Sequence, residues 1–238
     1  MSRKRALSNA SSNPKQTYRN VGSASFSAAP AGRAVASGLN RRGVASKETG
    51  FVDLALASYP YDTTGSVTLL NTVAQGASVN TRVGKKIVLK GLLCRGRHNN
   101  SSTALINDCA YIIVYDKRPT GALPAVTDIL VASNSQSMNN DANSGRFKIL
   151  KREDFVLIGN TSQAAPPVSD GNLTEKTAMS ADFWLNLKNL PTTYKAAGTG
   201  AIGDIEEGAL YLVTVGNNAA GTAAAVGGMA FRLRFLDI

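Results

Sequence analysis

After residue 48 the chain falls into short runs of β-branched and aromatic residues, separated by clusters of Gly, Asn, Ser, Thr and Pro. Runs of strand length bounded by turn-forming residues predict an all-β domain. They place strands at Phe51–Ser58, Val67–Thr72, Lys85–Arg97, Cys109–Tyr115, Phe147–Lys151, Phe155–Ile158, Ala181–Leu190, Ala209–Val215 and Met229–Leu236. The last run has the cleanest period of two. Met229, Phe231, Leu233 and Phe235 share one face, and Ala230, Arg232 and Arg234 share the other, so one side belongs to a core and the other is basic. Tyr111 to Tyr115 is apolar on both faces, the pattern of a strand covered on both sides, and a neighbouring subunit is one source of the second cover. Val126, Ile129 and Leu130 fall at helical spacing and predict one short helix between Pro124 and Ser133.

Four connections are long: Asn99 to Asp108, Asn134 to Gly145, Gly159 to Lys176 and Pro191 to Gly208. In compact domains such connections carry function or interfaces. Eight or nine strands joined in this way fit a single antiparallel eight-stranded jelly-roll sandwich better than a tight meander.

Charge divides the chain near the same point. The whole sequence carries 26 Lys and Arg against 16 Asp and Glu, a net charge of +10. Nine of those cations precede residue 48, namely Arg3, Lys4, Arg5, Lys15, Arg19, Arg33, Arg41, Arg42 and Lys47, and no acid accompanies them. The 17 that follow are nearly balanced by all 16 acids. The apolar residues of the first segment, Leu7, Val21, Phe26, Val35 and Leu39, are too sparse to offset the entropy of ordering its backbone. Residues 1–47 are therefore expected to form a disordered arm, and residues 48–238 one folded domain. A flexible block of cations neutralises phosphates and releases condensed counterions, which gives salt-dependent binding to nucleic acid without sequence preference. The nine arm cations are candidate nucleic-acid-binding residues, and Arg232 and Arg234 extend the set into the folded domain. Lys86 and Lys90 share one parity of their strand, and Arg95 and Arg97 the other.

Candidate chemistry is scarce. His98 is the sole histidine and lies in the polar stretch Arg95-Gly-Arg-His-Asn-Asn100, which reads as a surface loop. A metal-binding jelly roll needs several convergent His and carboxylate ligands, so no metal and no cofactor are expected. Cys94 and Cys109 read as reduced thiols that pack as small apolar residues. Asp204, Glu206 and Glu207 read as a solvated turn, and Trp184, inside Phe-Trp-Leu-Asn-Leu, reads as a packing residue. An enzyme is not expected. No apolar segment follows the basic start, and no run approaches the roughly 18 apolar residues of a membrane span. A soluble protein made in the cytosol, with no membrane partner, is expected; Arg3-Lys4-Arg5 is too short to establish a nuclear signal, and the host nucleus stays open.

Three motifs in order carry a resemblance that spans nearly the whole chain: Thr81-Arg-Val-Gly-Lys-Lys-Ile87, Tyr111-Ile-Ile-Val-Tyr-Asp-Lys-Arg-Pro-Thr-Gly121 and Phe231-Arg-Leu-Arg-Phe-Leu-Asp237. With the basic arm before them, they resemble the capsid proteins of small circular single-stranded DNA viruses that encode a replication initiator, with a single jelly roll similar to geminivirus and satellite-virus coats. The resemblance implies a homo-oligomeric shell, about sixty chains in the simplest closed icosahedral arrangement, with the arms inside the virion. It implies a single-stranded DNA genome as the packaged partner. A satellite-like RNA virus coat and a cellular nucleic-acid-binding β-sandwich remain the alternatives; the latter calls for aromatic residues on an exposed sheet.

Overall fold

The computed structural model describes residues 49–100, 106–159, 177–196, 198–221 and 224–238. All nine arm cations lie outside these residues, as do the middle of the 99–108 connection and nearly all of the 159–176 connection. The described residues are almost entirely β. In chain order the strands are β1 (Thr49–Tyr61), β2 (Ser66–Leu69), β3 (Lys86–Asn99), β4 (Ile106–Asp116), β5 (Phe147–Ile158), β6 (Ala178–Ser180), β7 (Phe183–Tyr194), β8 (Ile205–Glu207), β9 (Ala209–Gly216) and β10 (Ala225–Asp237). The expected short helix is present as α1 (Val126–Ile129).

The strands form two sheets, one in the order β1-β10-β3-β7-β8 with β6 also on β3, the other in the order β2-β9-β4-β5. Every pairing between these strands is antiparallel. Aromatic residues of both sheets meet in one core, consistent with a β-sandwich: Tyr111 of β4 stacks on Phe183 of β7 at 5.6 Å, and Tyr61 of β1 meets Phe155 of β5 at 5.4 Å. β10 keeps the alternation read from its sequence, with Met229, Phe231, Leu233 and Phe235 buried and Arg232 and Arg234 exposed.

β5 differs from its expected form. The charged stretch Lys151-Arg-Glu-Asp154 suggests a break between two strands, yet β5 runs unbroken and pairs with β4 along its whole length. Its charges are accommodated by neighbours two positions apart, which lie on one side of a strand. Lys151 pairs with Glu153 at 2.7 Å and Arg152 with Asp154 at 2.9 Å.

The second cover of β4 also differs from the neighbouring subunit considered above. From Cys109 to Asp116 every residue of β4 is buried, and all eight residues of β9 are buried beside it. The cover comes from the chain's own β4–β5 connection, whose Val126, Ile129 and Leu130 join the core. Val126 reaches the outer face of β9, since a Cβ built on Gly65 would meet both Val126 and Val215. Polar bonds hold this connection down. Asp116, fully buried, accepts a bidentate pair from Arg146, with Nη2 at 2.8 Å and Nε at 3.0 Å, and the Arg118 amide at 2.9 Å. Arg152 donates to the carbonyls of Ser137 at 2.7 Å and Ser135 at 2.8 Å. The turn after β4 is thus anchored at both ends on one carboxylate.

Candidate nucleic-acid interface

In one sheet the outer face of β4 and β9 is covered by the chain itself. The other, β1-β10-β3-β7, has an open outward face, and its charged residues are mainly cations: Lys86, Arg95, Arg97, Arg232 and Arg234, with Asp53 beside them. Antiparallel register aligns them in rows across the strands. Asp53, Arg232, Leu93 and Trp184 form one row, and Phe51, Arg234, Gly91 and Asn186 form the next. Beyond them Arg95 stands opposite Ala230, and Arg97 opposite Gly228. Arg95 and Arg97 are exposed on β3, as are Arg232 and Arg234 on β10.

A bulge decides which cations of β3 share this face. Register against both neighbours shifts between Leu89 and Gly91, leaving Lys90 as the extra residue. One inserted residue reverses the alternation beyond it. Val88, before the bulge, and Leu93, Arg95 and Arg97, after it, therefore lie on the same side, while Ile87, Leu89, Leu92 and Cys94 are buried on the other. Lys86 joins Arg95 and Arg97, contrary to the simple parity of the sequence. Lys90 donates to the Asn189 side chain at 2.7 Å, next to a β7 segment where Lys188 and Asn189 have left-handed φ of 51° and 61°.

The two folded-domain arginines singled out by sequence differ in character. Arg232 is already paired with Asp53, Nε to Oδ1 at 2.6 Å and Nη2 to Oδ2 at 2.7 Å, with its guanidinium 4.8 Å from the Phe51 ring. The Arg232 hydrogen bond holds the Asp53 carboxyl below the usual carboxylate range. Arg234, Arg95 and Arg97 have no ion pair among the described residues. Of the β10 pair, Arg234 is the one without a carboxylate partner among the described residues. Between these groups lies a shallow depression of about 350 Å³, bordered by Ala55, Leu93, Arg95, Ala230 and Arg232.

The sequence matches the model of the geminivirus coat protein/nuclear export factor BR1 family over residues 3–238. The chain belongs to this family. A search of curated proteins finds no match. Membership makes the protein a viral coat protein of geminivirus type, and its β-rich fold agrees with that family.

Two further expectations are corrected in this coat protein. Trp184 is not a packing residue but is 53% exposed beside the arginines. His98 is not on the surface but fully buried at the inward face of β3, hydrogen-bonded through Nδ1 to the Tyr61 hydroxyl at 2.8 Å and stacked on Phe155 at 4.5 Å. The polar letters around His98 mislead because they alternate: Arg95 and Arg97 face water, while His98 takes the core parity. Burial holds the imidazole down at about 4. Cys94 and Cys109 are buried free thiols, each pushed up by burial to about 12, which makes neither a ready nucleophile. Asp204 ties its own loop, accepting from the Thr199 amide at 2.7 Å and the Gly200 amide at 3.2 Å.

Proposed function

We propose that this coat protein self-assembles into a closed icosahedral shell and packages a single-stranded DNA genome, using the arm of residues 1–47 together with the basic face of the β1-β10-β3-β7 sheet. The observation that carries the reading is the one-sided charge. The β4–β5 connection covers β4 and β9 of one sheet, whereas the other presents Lys86, Arg95, Arg97, Arg232 and Arg234. The acid-free arm supplies nine more cations for the same polyanion. The fold is an eight-stranded jelly roll with β6 and β8 as three-residue additions. Support comes from the strand order, in which consecutive long strands cross between sheets except for the β4–β5 pair. About sixty copies make the simplest such shell. The virion is the site of action, after synthesis in the cytosol, with the nucleus as a second compartment.

Electron microscopy of the purified full-length protein tests this directly. Uniform spherical particles holding nuclease-resistant DNA are expected. Deleting residues 1–47 should remove most of the packaged nucleic acid while the β domain stays folded. A stable monomer at high concentration and moderate salt, free of nucleic acid, would sink the proposal, and nuclease-protected RNA would move it to the satellite-like alternative.

A further inference from the structure

Trp184 is the chain's one tryptophan, and β7 turns it away from the core. Phe183 and Leu185 on either side pack inward, while Trp184 stays half in water. Its six-membered ring rests on the backbone of Gly91, where an added Cβ would overlap ring atoms, so the glycine provides a flat floor for the indole. The Arg234 guanidinium stands over the ring at 5.7 Å from its centroid, at the outer reach of a cation–π contact, and Trp184 is still 53% exposed. Arg95 and Arg97 follow on β3 without carboxylate partners among the described residues. The depression against Leu93, which is paired with Trp184 across the strands, extends the surface toward β10.

We infer that Trp184 is a stacking platform for an unpaired base of single-stranded nucleic acid, with Arg234 and Arg95 placed to take the flanking phosphates. The inference rests on the genome-binding reading above and adds the selection of strandedness. Cations alone attract single and double strands alike. An exposed indole adds affinity only for a base whose ring face is free, and the bases inside a duplex are already stacked on each other. The site therefore discriminates where the arm cannot.

The lone tryptophan also makes the test specific. Full-length protein, freed of nucleic acid in high salt, is titrated with a thymidine oligonucleotide and with a duplex of equal length, and Trp184 emission is followed beside the anisotropy of a label on the DNA. The expected result is quenching by the single strand and little quenching by the duplex, although both bind. Trp184→Leu, which keeps apolar cover on Gly91, should weaken single-strand binding about tenfold and leave duplex binding unchanged, and Trp184→Phe should restore most of the loss. Single-strand binding without quenching would overturn the inference and leave the genome-binding reading intact. So would a blue-shifted emission that does not respond to DNA, because it would place a second copy of the chain on Trp184. Absence of any nucleic-acid binding would overturn both.

Discussion

Tyr61 of β1 and His98 of β3 share a 2.8 Å hydrogen bond inside the core, and the other imidazole nitrogen, Nε2, is buried with no partner among the described residues. The ring packs against both Phe155 and Tyr111, with centroids at 4.5 Å and 5.5 Å. A neutral imidazole tolerates this site. A charged one loses its hydration and gains only the Glu153 carboxylate, which acts in its favour but does not offset burial.

The first prediction concerns acid. The folded state holds His98 at about 4 against an ordinary value of 6.5, so below 6.5 the unfolded chain takes up a proton that the folded chain refuses. Stability is therefore expected to fall as pH drops from 6.5 to 4, by roughly 3 kcal/mol in total, and to show no further contribution from this group below that window. Urea unfolding at a series of pH values measures it. His98→Phe, which keeps the stack, should flatten this part of the profile; an unchanged slope would assign the effect to the carboxylates.

Arg146 is predicted to lock the β4–β5 connection. Its bidentate bond is the only side-chain cation on the fully buried Asp116 among the described residues. Arg146→Met should destabilise the domain by about 3 kcal/mol, because it strands a buried carboxylate. Limited proteolysis should then cut within residues 117–146 before the strands are attacked. Resistance equal to that of the unmodified chain would show that the apolar contacts of Val126, Ile129 and Leu130 suffice.

Asp53 is predicted to restrain nucleic-acid binding. It occupies Arg232 through two hydrogen bonds on an exposed face. Asp53→Asn removes the competing carboxylate, so the affinity for single-stranded DNA should rise and the slope of log K against log salt should steepen by about one. The unfolding midpoint should hardly move, since solvent-exposed pairs contribute little to stability. An unchanged salt slope would exclude Arg232 from phosphate contact.

Gly91→Ala tests the floor beneath Trp184. The new methyl group would collide with the indole and lift it from the sheet. Single-strand affinity should drop by a similar factor to that of Trp184→Leu, with a red shift in tryptophan emission and a stability loss of about 1 kcal/mol. Retained affinity with a displaced indole would argue against stacking.

Strand positions, the short helix and the inward set of β10 were legible in the chain because burial in a sheet leaves a local, two-residue signature. So was the partition of charge around residue 48, which needs only the order of residues. Phe147–Ile158 was misread as two strands because a run of four charges looks like a turn until partners two positions apart neutralise one another. Lys86 seemed to oppose Arg95 and Arg97 because local periodicity cannot announce a bulge; the extra residue at Lys90 is defined only against β10 and β7.

The same limit separates the two kinds of knowledge about this protein as a whole. Composition, periodicity and motif order are properties of the chain, and they carry the all-β class, the acid-free basic composition of residues 1–47 and membership of the coat protein family. Folding alone settles which sheet face stays open, that Arg232 is ion-paired while Arg234 has no ion pair among the described residues, and that His98 is buried while Trp184 is exposed. Those outcomes depend on which residues from distant strands meet: Asp53 and Arg232, 179 positions apart, come together only when the sheet forms.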